Sequence, residues 1–168
     1  MEEGQRYHQP ERTETVRLVL QRVVRAAVTV AGVDGVEEVG RIDRGLVVLV
    51  GVEAGDGRAD AEAAASKLAG LRIFDDAAGA MNLDAQAVGG DFLVVPNFTL
   101  AGSLRKGRRP SFDGAARPED AEPLVEALVA GLRSRGFAAP TGRFRTSMQV
   151  DLSNDGPVTF VLEVPAPA

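Results

Sequence analysis

The chain has no cysteine and one histidine among its 168 residues. Its potential chemistry therefore lies in hydroxyls, amides, carboxylates and cations. The one histidine, His8, sits in the polar opening MEEGQRYHQPERTET. A Ser-His or Cys-His pair has almost no candidate base, and most zinc sites, which draw on Cys and His, are removed as well. Four stretches remain. In LVVPNFTLAGS (93–103) a buried strand ends at Pro96 and delivers Asn97, Phe98 and Thr99 to its end. Thr99 is a candidate nucleophile or hydrogen-bond donor, and the backbone N–H groups of Phe98 and Thr99 are candidates to face a developing oxyanion. The plain alternative is a threonine inside a β-strand. In LRKGRRP (104–110), Arg105, Lys106, Arg108 and Arg109 put four cations into five positions. Such a loop can neutralise phosphates even on an acidic protein, or it is merely solvated. In NDGPVT (154–159), Gly156 removes a Cβ so that a ligand or backbone can come close, and Pro157 fixes φ and holds the Gly156 carbonyl rigidly. An X-Pro bond is also where a cis peptide is cheap. A tight turn between two strands is the alternative. Arg22, on the first strand, is either a snorkelling surface residue or a buried fork for a carbonyl or carboxylate.

These residues need elements to hold them. The length suits one domain with a sizeable core, and 45% hydrophobic with 26% charged residues is a normal globular balance. Residues 1–15 read as a disordered extension, 16–164 as the domain and 165–168 as a frayed tail. No apolar run is long enough to cross a bilayer, and the N-terminus lacks the apolar centre of a signal peptide. A soluble, cytoplasmic protein is the expectation. Strands are expected at 16–24, 26–32, 37–42, 45–53, 89–100, 147–153 and 158–164 from their β-branched and apolar runs, and LRIF (71–74) is a short apolar segment before a turn. Ala61, Ala64, Ala65 and Leu68 fall at helical spacing, with Asp56 as the expected N-cap and Gly70 as the stop. A second helix is marked by Ala121, Leu124, Val125, Leu128, Val129 and Leu132. Pro118 suits its first turn, Gly136 its C-terminal cap, and Pro123 must lie in the first turn or kink it. The Asp-rich turn at 75–80 lacks the ligand pattern of a calcium loop. The predicted fold is α/β: a strand-rich single domain with a curled or doubled β-sheet and two main helices on one face. The net charge of −5 does not mark the whole surface as a nucleic-acid binder.

The stretches QRV-RAAVTV (21–30), GLVVLVGV (45–52), KLAGLRIF (67–74), MNL (81–83), FTL (98–100), RKGRRPSF (105–112), TGRF (141–144), MQV (148–150) and NDGPVT (154–159) occur together and in this order. From about Val16 to Val164 the chain thereby resembles the D-aminoacyl-tRNA deacylases, formerly called D-tyrosyl-tRNA deacylases. The resemblance implies a homodimer that binds tRNA, needs no cofactor or metal, and hydrolyses the ester between a misattached amino acid and the 3′-terminal ribose. It implies that Gly156-Pro157 is a cis pair reaching into the partner subunit's pocket to reject L-amino acids, so that D-aminoacyl-tRNA and glycyl-tRNA(Ala) are accepted. Backbone amides at Phe98 and Thr99, with the substrate's own 2′-hydroxyl, would carry the chemistry. Arg22 would steady the Gly-Pro element, Met148 and Phe144 would line the pocket, and Arg105, Lys106, Arg108 and Arg109 would contact tRNA. One departure is plain: the family pattern before Phe-Thr-Leu is Ser-Gln, and here it is Pro96-Asn97. A related animal branch with relaxed chirality carries Pro-Gln there. The alternatives that follow are a non-catalytic tRNA-binding dimer, or a deacylase with altered chiral or substrate preference.

Overall fold

A computed structural model describes residues 15–164. The expected disordered extension, apart from Thr15, and the expected tail lie outside the described residues. The first two expected strands are one: β1, Thr15–Gly32, runs 18 residues without a break. Its neighbours explain the continuity. The first half pairs antiparallel with β3 (Gly45–Gly51), from Arg17 opposite Gly51 to Val23 opposite Gly45. The second half pairs antiparallel with β2 (Gly35–Ile42), from Ala26 opposite Ile42 to Gly32 opposite Gly35. Two short strands, laid end to end, thus share one long partner.

The last two expected strands are also one. β7, Met148–Val164, lies antiparallel to β1 along nearly its whole length, from Thr15 opposite Val164 to Val30 opposite Met148. The stretch around Gly156-Pro157 is therefore not a hairpin turn, because the chain returns to the same partner strand on both sides of it. β6 (Asp91–Pro96) completes the five-stranded sheet by pairing parallel with β3, from Gly45 opposite Asp91 to Val50 opposite Pro96. It stops earlier than the expected 89–100, since Pro96 has no N–H to continue a ladder. Residues 71–73 form no strand; only β4 (Phe74–Asp75) and β5 (Met81–Leu83) pair there, as a small ladder of their own.

The two helices cover one face of this mixed, curled sheet, as the sequence predicts. α1 spans Arg58–Ala69 and α2 spans Pro118–Arg133. Leu18, Leu20, Val48 and Phe92 of the sheet pack with Leu68, Leu128 and Leu132 of the helices in the main core, all fully buried. The N-cap of α1 is Gly57, not Asp56. The Asp56 carboxylate instead accepts from the Glu53 and Val16 amides, at 2.7 and 3.1 Å. Asp60 supplies the cap's acceptor, taking the Gly57 N–H at 2.7 Å. Gly70 closes α1 as expected. Pro118 opens α2, but Pro123 lies past the first turn and the helix continues through it. The helix ends at Ser134, with Gly136 two residues later in the left-handed region at φ +90°.

The other face of the sheet is apolar too. Val23, Val28, Val47, Leu93 and Val95 are buried there, while Leu49, Met148, Val150 and Leu152 are only partly covered. Val161 joins that face through its register with Val19, which also pairs Leu49, and is 68% exposed.

Candidate active site

β6 carries the chain to the site and Pro96 ends it. Asn97 then donates its N–H to the Val50 carbonyl at 2.8 Å, so the turn leaves directly off the sheet. Phe98–Ala101 is a 3₁₀ turn capped by Asn97. Thr99 is thus in a turn and not in a strand. The Asn97 Oδ1 accepts from both the Thr99 amide, at 3.2 Å, and the Thr99 hydroxyl. Asparagine competes for local backbone donors in this way because its short side chain reaches two residues on.

Pro96, Asn97, Phe98, Phe144 and Met148, widely separated in sequence, line one cavity of about 550 Å³. Its wall is completed by Val50, Val52 and by Phe112, whose ring centroid lies 5.1 Å from that of Phe98. Met148 enters because residue 142 is glycine: a Cβ there would stand 2.5 Å from the Met148 sulfur. The sulfur in turn accepts the Arg143 N–H at 3.3 Å. A second cavity of about 350 Å³ opens on the helix-free face of the sheet and shares Pro96, Asn97, Phe98 and Met148 with the first. Neither cavity includes Thr99, Arg22, Gly156 or Pro157.

The basic stretch follows the 3₁₀ turn. Ser103 and Ser111 close it by exchanging backbone hydrogen bonds of 2.7 and 2.9 Å. Arg105, Lys106, Arg108 and Arg109 project from this loop, all exposed, and Phe112 directly after it returns the chain to the cavity wall.

The Gly-Pro stretch is a bulge. Gln21 pairs with Thr159 and Val23 with Asn154, so residues 155–158 stand opposite Arg22 alone. The Gly156-Pro157 peptide is cis, and both residues are exposed. Asn154 ties the base of the bulge, donating its side-chain amide to the carbonyls of Arg22, at 2.9 Å, and Val158, at 3.0 Å. Arg22 is the buried fork of the two options its sequence leaves open: only 5% of it is exposed. It donates to the Asp155 carbonyl at 3.1 Å, the Ile73 carbonyl at 2.9 Å and the Asp75 carboxylate at 3.3 Å through each of two nitrogens. Its Nε also lies 3.2 Å from the Asp155 carboxylate. Asp75 went unnoticed in the sequence because it stands in a turn rich in Asp. Its neighbour Asp76 only builds that turn, its carboxyl held below the usual range by the Asn82 side chain and nearby amides.

Among the described residues no group of three or more His, Cys, Asp or Glu side chains could hold a metal ion. Three arginines that sequence reasoning passed over, Arg117, Arg143 and Arg145, also line the larger cavity. Only Arg143 had a signal, through TGRF. It forms a two-pronged pair with Glu37 at 2.9 and 3.0 Å, which holds the Glu37 carboxyl below its ordinary range.

The model of the family described as D-Tyr-tRNA(Tyr) deacylase matches residues 19–163. The chain belongs to this family. Its relatives in the family include the D-aminoacyl-tRNA deacylase of Heliobacterium modesticaldum, 54% identical over 88% of this chain and 96% of the relative. That of Symbiobacterium thermophilum is 53% identical over 88% and 95%. A solved structure described as c-Myc DNA Unwinding Element Binding Protein superposes with a TM-score of 0.80 at 36% identity, covering 89% of this chain and 99% of that one. Another, described as a probable eukaryotic D-amino acid tRNA deacylase, gives 0.77 at 18% identity over 89% and 100%, and shares the fold.

Proposed function

We infer that this family member hydrolyses the ester of D-aminoacyl-tRNA, and of glycyl-tRNA(Ala), releasing free amino acid and tRNA. The observation that carries the reading is the family match over residues 19–163, together with relatives named D-aminoacyl-tRNA deacylase at about half identity across the domain. The 3′-terminal nucleoside lies in the cavity walled by Pro96, Asn97, Phe98, Phe144 and Met148. The ester carbonyl sits at the 3₁₀ turn, where the Phe98 and Thr99 amides hold the terminal ribose or the oxyanion. Thr99 supports this arrangement and is not the nucleophile. Water attacks the carbonyl, the adjacent 2′-hydroxyl assists proton transfer, and the ribose 3′-oxygen leaves with a proton. In the free chain the Thr99 amide already donates to Asn97, so the amide exchanges that partner for substrate.

The working unit is a homodimer. The helix-free face of the sheet leaves Leu49, Met148, Val150, Leu152 and Val161 for a second copy to cover. Gly156 and Pro157 line neither cavity of their own chain, which suits a loop lent to the partner's pocket as a chiral gate. Rejecting one enantiomer by collision requires rigidity more than affinity, and Arg22 and Asn154 supply that rigidity. The loop at 105–109 holds tRNA phosphates. A tRNA substrate places the protein in the cytoplasm, and no helix among the described residues is long and apolar enough to cross a membrane.

The test is one assay comparing D-, L- and glycyl-tRNA as substrates of the purified protein. The reading expects release from the D- and glycyl esters with L-esters spared. The contact of Asn97 with both Thr99 donors favours a second reading, in which Pro96-Asn97 restrains turnover. That reading expects tRNA binding without hydrolysis, and recovery on changing Pro96→Ser with Asn97→Gln. Hydrolysis of L-esters indicates an altered chiral preference. A protein that leaves every ester intact even with Ser-Gln restored overturns the deacylase reading.

A further inference from the structure

The larger cavity has a one-sided charge. Arg117, Arg143 and Arg145 line it, and no aspartate or glutamate does, although the chain carries 24 acids against 19 Lys and Arg. Arg143 is committed to Glu37. Arg117 and Arg145 are not committed in the same way. They reach toward one carboxylate, Glu119, each at a different oxygen: Arg117 NH1 to Oε1 and Arg145 NH2 to Oε2, both at 3.6 Å. At that length each is an ion pair and not a hydrogen bond. Arg117 Nε keeps one exposed partner, Asp120, at 3.2 Å. Arg145 is held in the left-handed region at φ +56°, an uncommon setting for a residue with a Cβ.

We propose that Arg117 and Arg145 form a phosphate clamp at the mouth of this cavity, binding the phosphate attached to the 5′ side of the terminal nucleoside. The inference rests on the cavity being the nucleoside site described above. Glu119 occupies in the free chain the place a phosphate takes in the complex: one anion, two oxygens, between two guanidiniums. Phosphate fits better, because it offers more oxygens to planar forks that match its geometry. The aromatic wall supplies the adjoining surface for a flat base. The clamp is separate from the 105–109 loop, whose four cations line neither cavity.

Calorimetric titration of the full-length protein with adenosine, adenosine 5′-monophosphate and inorganic phosphate tests the proposal. The 5′-monophosphate is expected to bind about tenfold or more tightly than adenosine, and inorganic phosphate far more weakly than either. Arg117→Ala with Arg145→Ala should bring the ratio of 5′-monophosphate to adenosine affinity to within about threefold. Arg117→Lys with Arg145→Lys should restore part of it. Glu119→Gln, which removes the competing carboxylate, should raise it. An unchanged ratio in the double alanine variant, or inorganic phosphate binding as tightly as the nucleotide, overturns the clamp. Adenosine binding that survives in the variants shows that they fold. If D-aminoacyl-tRNA is hydrolysed while the ratio ignores the arginines, the clamp falls and the functional reading stands. If the ratio depends on them and no ester is cleaved, the functional reading falls and a nucleotide site remains.

Discussion

Arg22 illustrates how one side chain joins three segments that are remote in sequence. Its guanidinium satisfies the carbonyls of Ile73 and Asp155 and pairs with Asp75, all from a buried position on β1. Removing it leaves those acceptors to find water or go without. Arg22→Met is therefore expected to lower stability by about 2–3 kcal/mol, at the lower end for a broken buried pair because both carboxylates are partly exposed. It should also cut kcat/KM by about tenfold or more, since the bulge loses its orientation. Arg22→Lys, which keeps the charge but not the fork, should restore little of either. Denaturant unfolding and steady-state hydrolysis measure both effects. The Glu37–Arg143 pair titrates in a defined direction. The Glu37 carboxyl is held below its usual value near 4.5 in the folded chain. Its contribution is thus complete above that value and is lost as pH falls through the depressed one. The difference in melting temperature between the wild type and Glu37→Gln should be constant from pH 7 to about pH 5 and shrink below about pH 4. The pair is exposed, so the difference should be small and should fall with added salt.

At the scale of elements, the bulge in β7 turns a strand into a presenting device. Four residues, 155–158, stand against one on β1, and the ladder resumes on either side. The projection is therefore anchored at both ends by regular pairing. Gly156 has no room for a side chain: a Cβ there would collide with the Val158 amide nitrogen, backbone that cannot swing aside. Gly156→Ala is expected to cost about 1–3 kcal/mol by forcing the bulge to shift. Its hydrolysis should fall for D-aminoacyl-tRNA while binding to tRNA, proposed to rest on the 105–109 loop, is retained. Parallel filter-binding and turnover assays check this. Equal loss of binding and turnover would assign the bulge to tRNA docking instead of to the pocket.

At the scale of the molecule, the helices cover one side of the sheet only. Both helices pack on the same face, and the other keeps a buried apolar centre with a half-covered rim. β7, 17 residues long, forms the far edge of the sheet, and long open edges invite pairing. Val161, at 68% exposed, lies on the uncovered face and contributes little to the single chain's core. Val161→Asp is therefore expected to leave the chain folded but to weaken the proposed dimer. Sedimentation should then show the mass of one chain at concentrations where the wild type shows two. Because the gate is proposed to act across the interface, L-ester rejection and D-ester turnover should both decline with dimer dissociation. A wild type that sediments as a monomer and still hydrolyses D-esters would remove the cross-subunit gate.

Local pattern alone marked both helices and the extended segments that build the main sheet of this protein. The 3.6-residue spacing of Ala61 to Leu68 and of Ala121 to Leu132 marks α1 and α2. The absence of Cys and the isolation of His8 narrowed the chemistry before any fold was known. Family resemblance, carried by NDGPVT and RKGRRPSF, drew attention to residues whose own spacing says little. Pairing could not be read locally. β1 and β7 each look like two strands, because the alternation breaks where a partner changes or a bulge intrudes, and only the register shows that each is one. The Asp56 side chain caps no helix because the Glu53 amide and, from forty residues away, the Val16 amide donate to it. Arg117 and Arg145 stand 28 positions apart and meet only through Glu119. Such contacts depend on where the backbone crosses itself, and tertiary packing alone sets that.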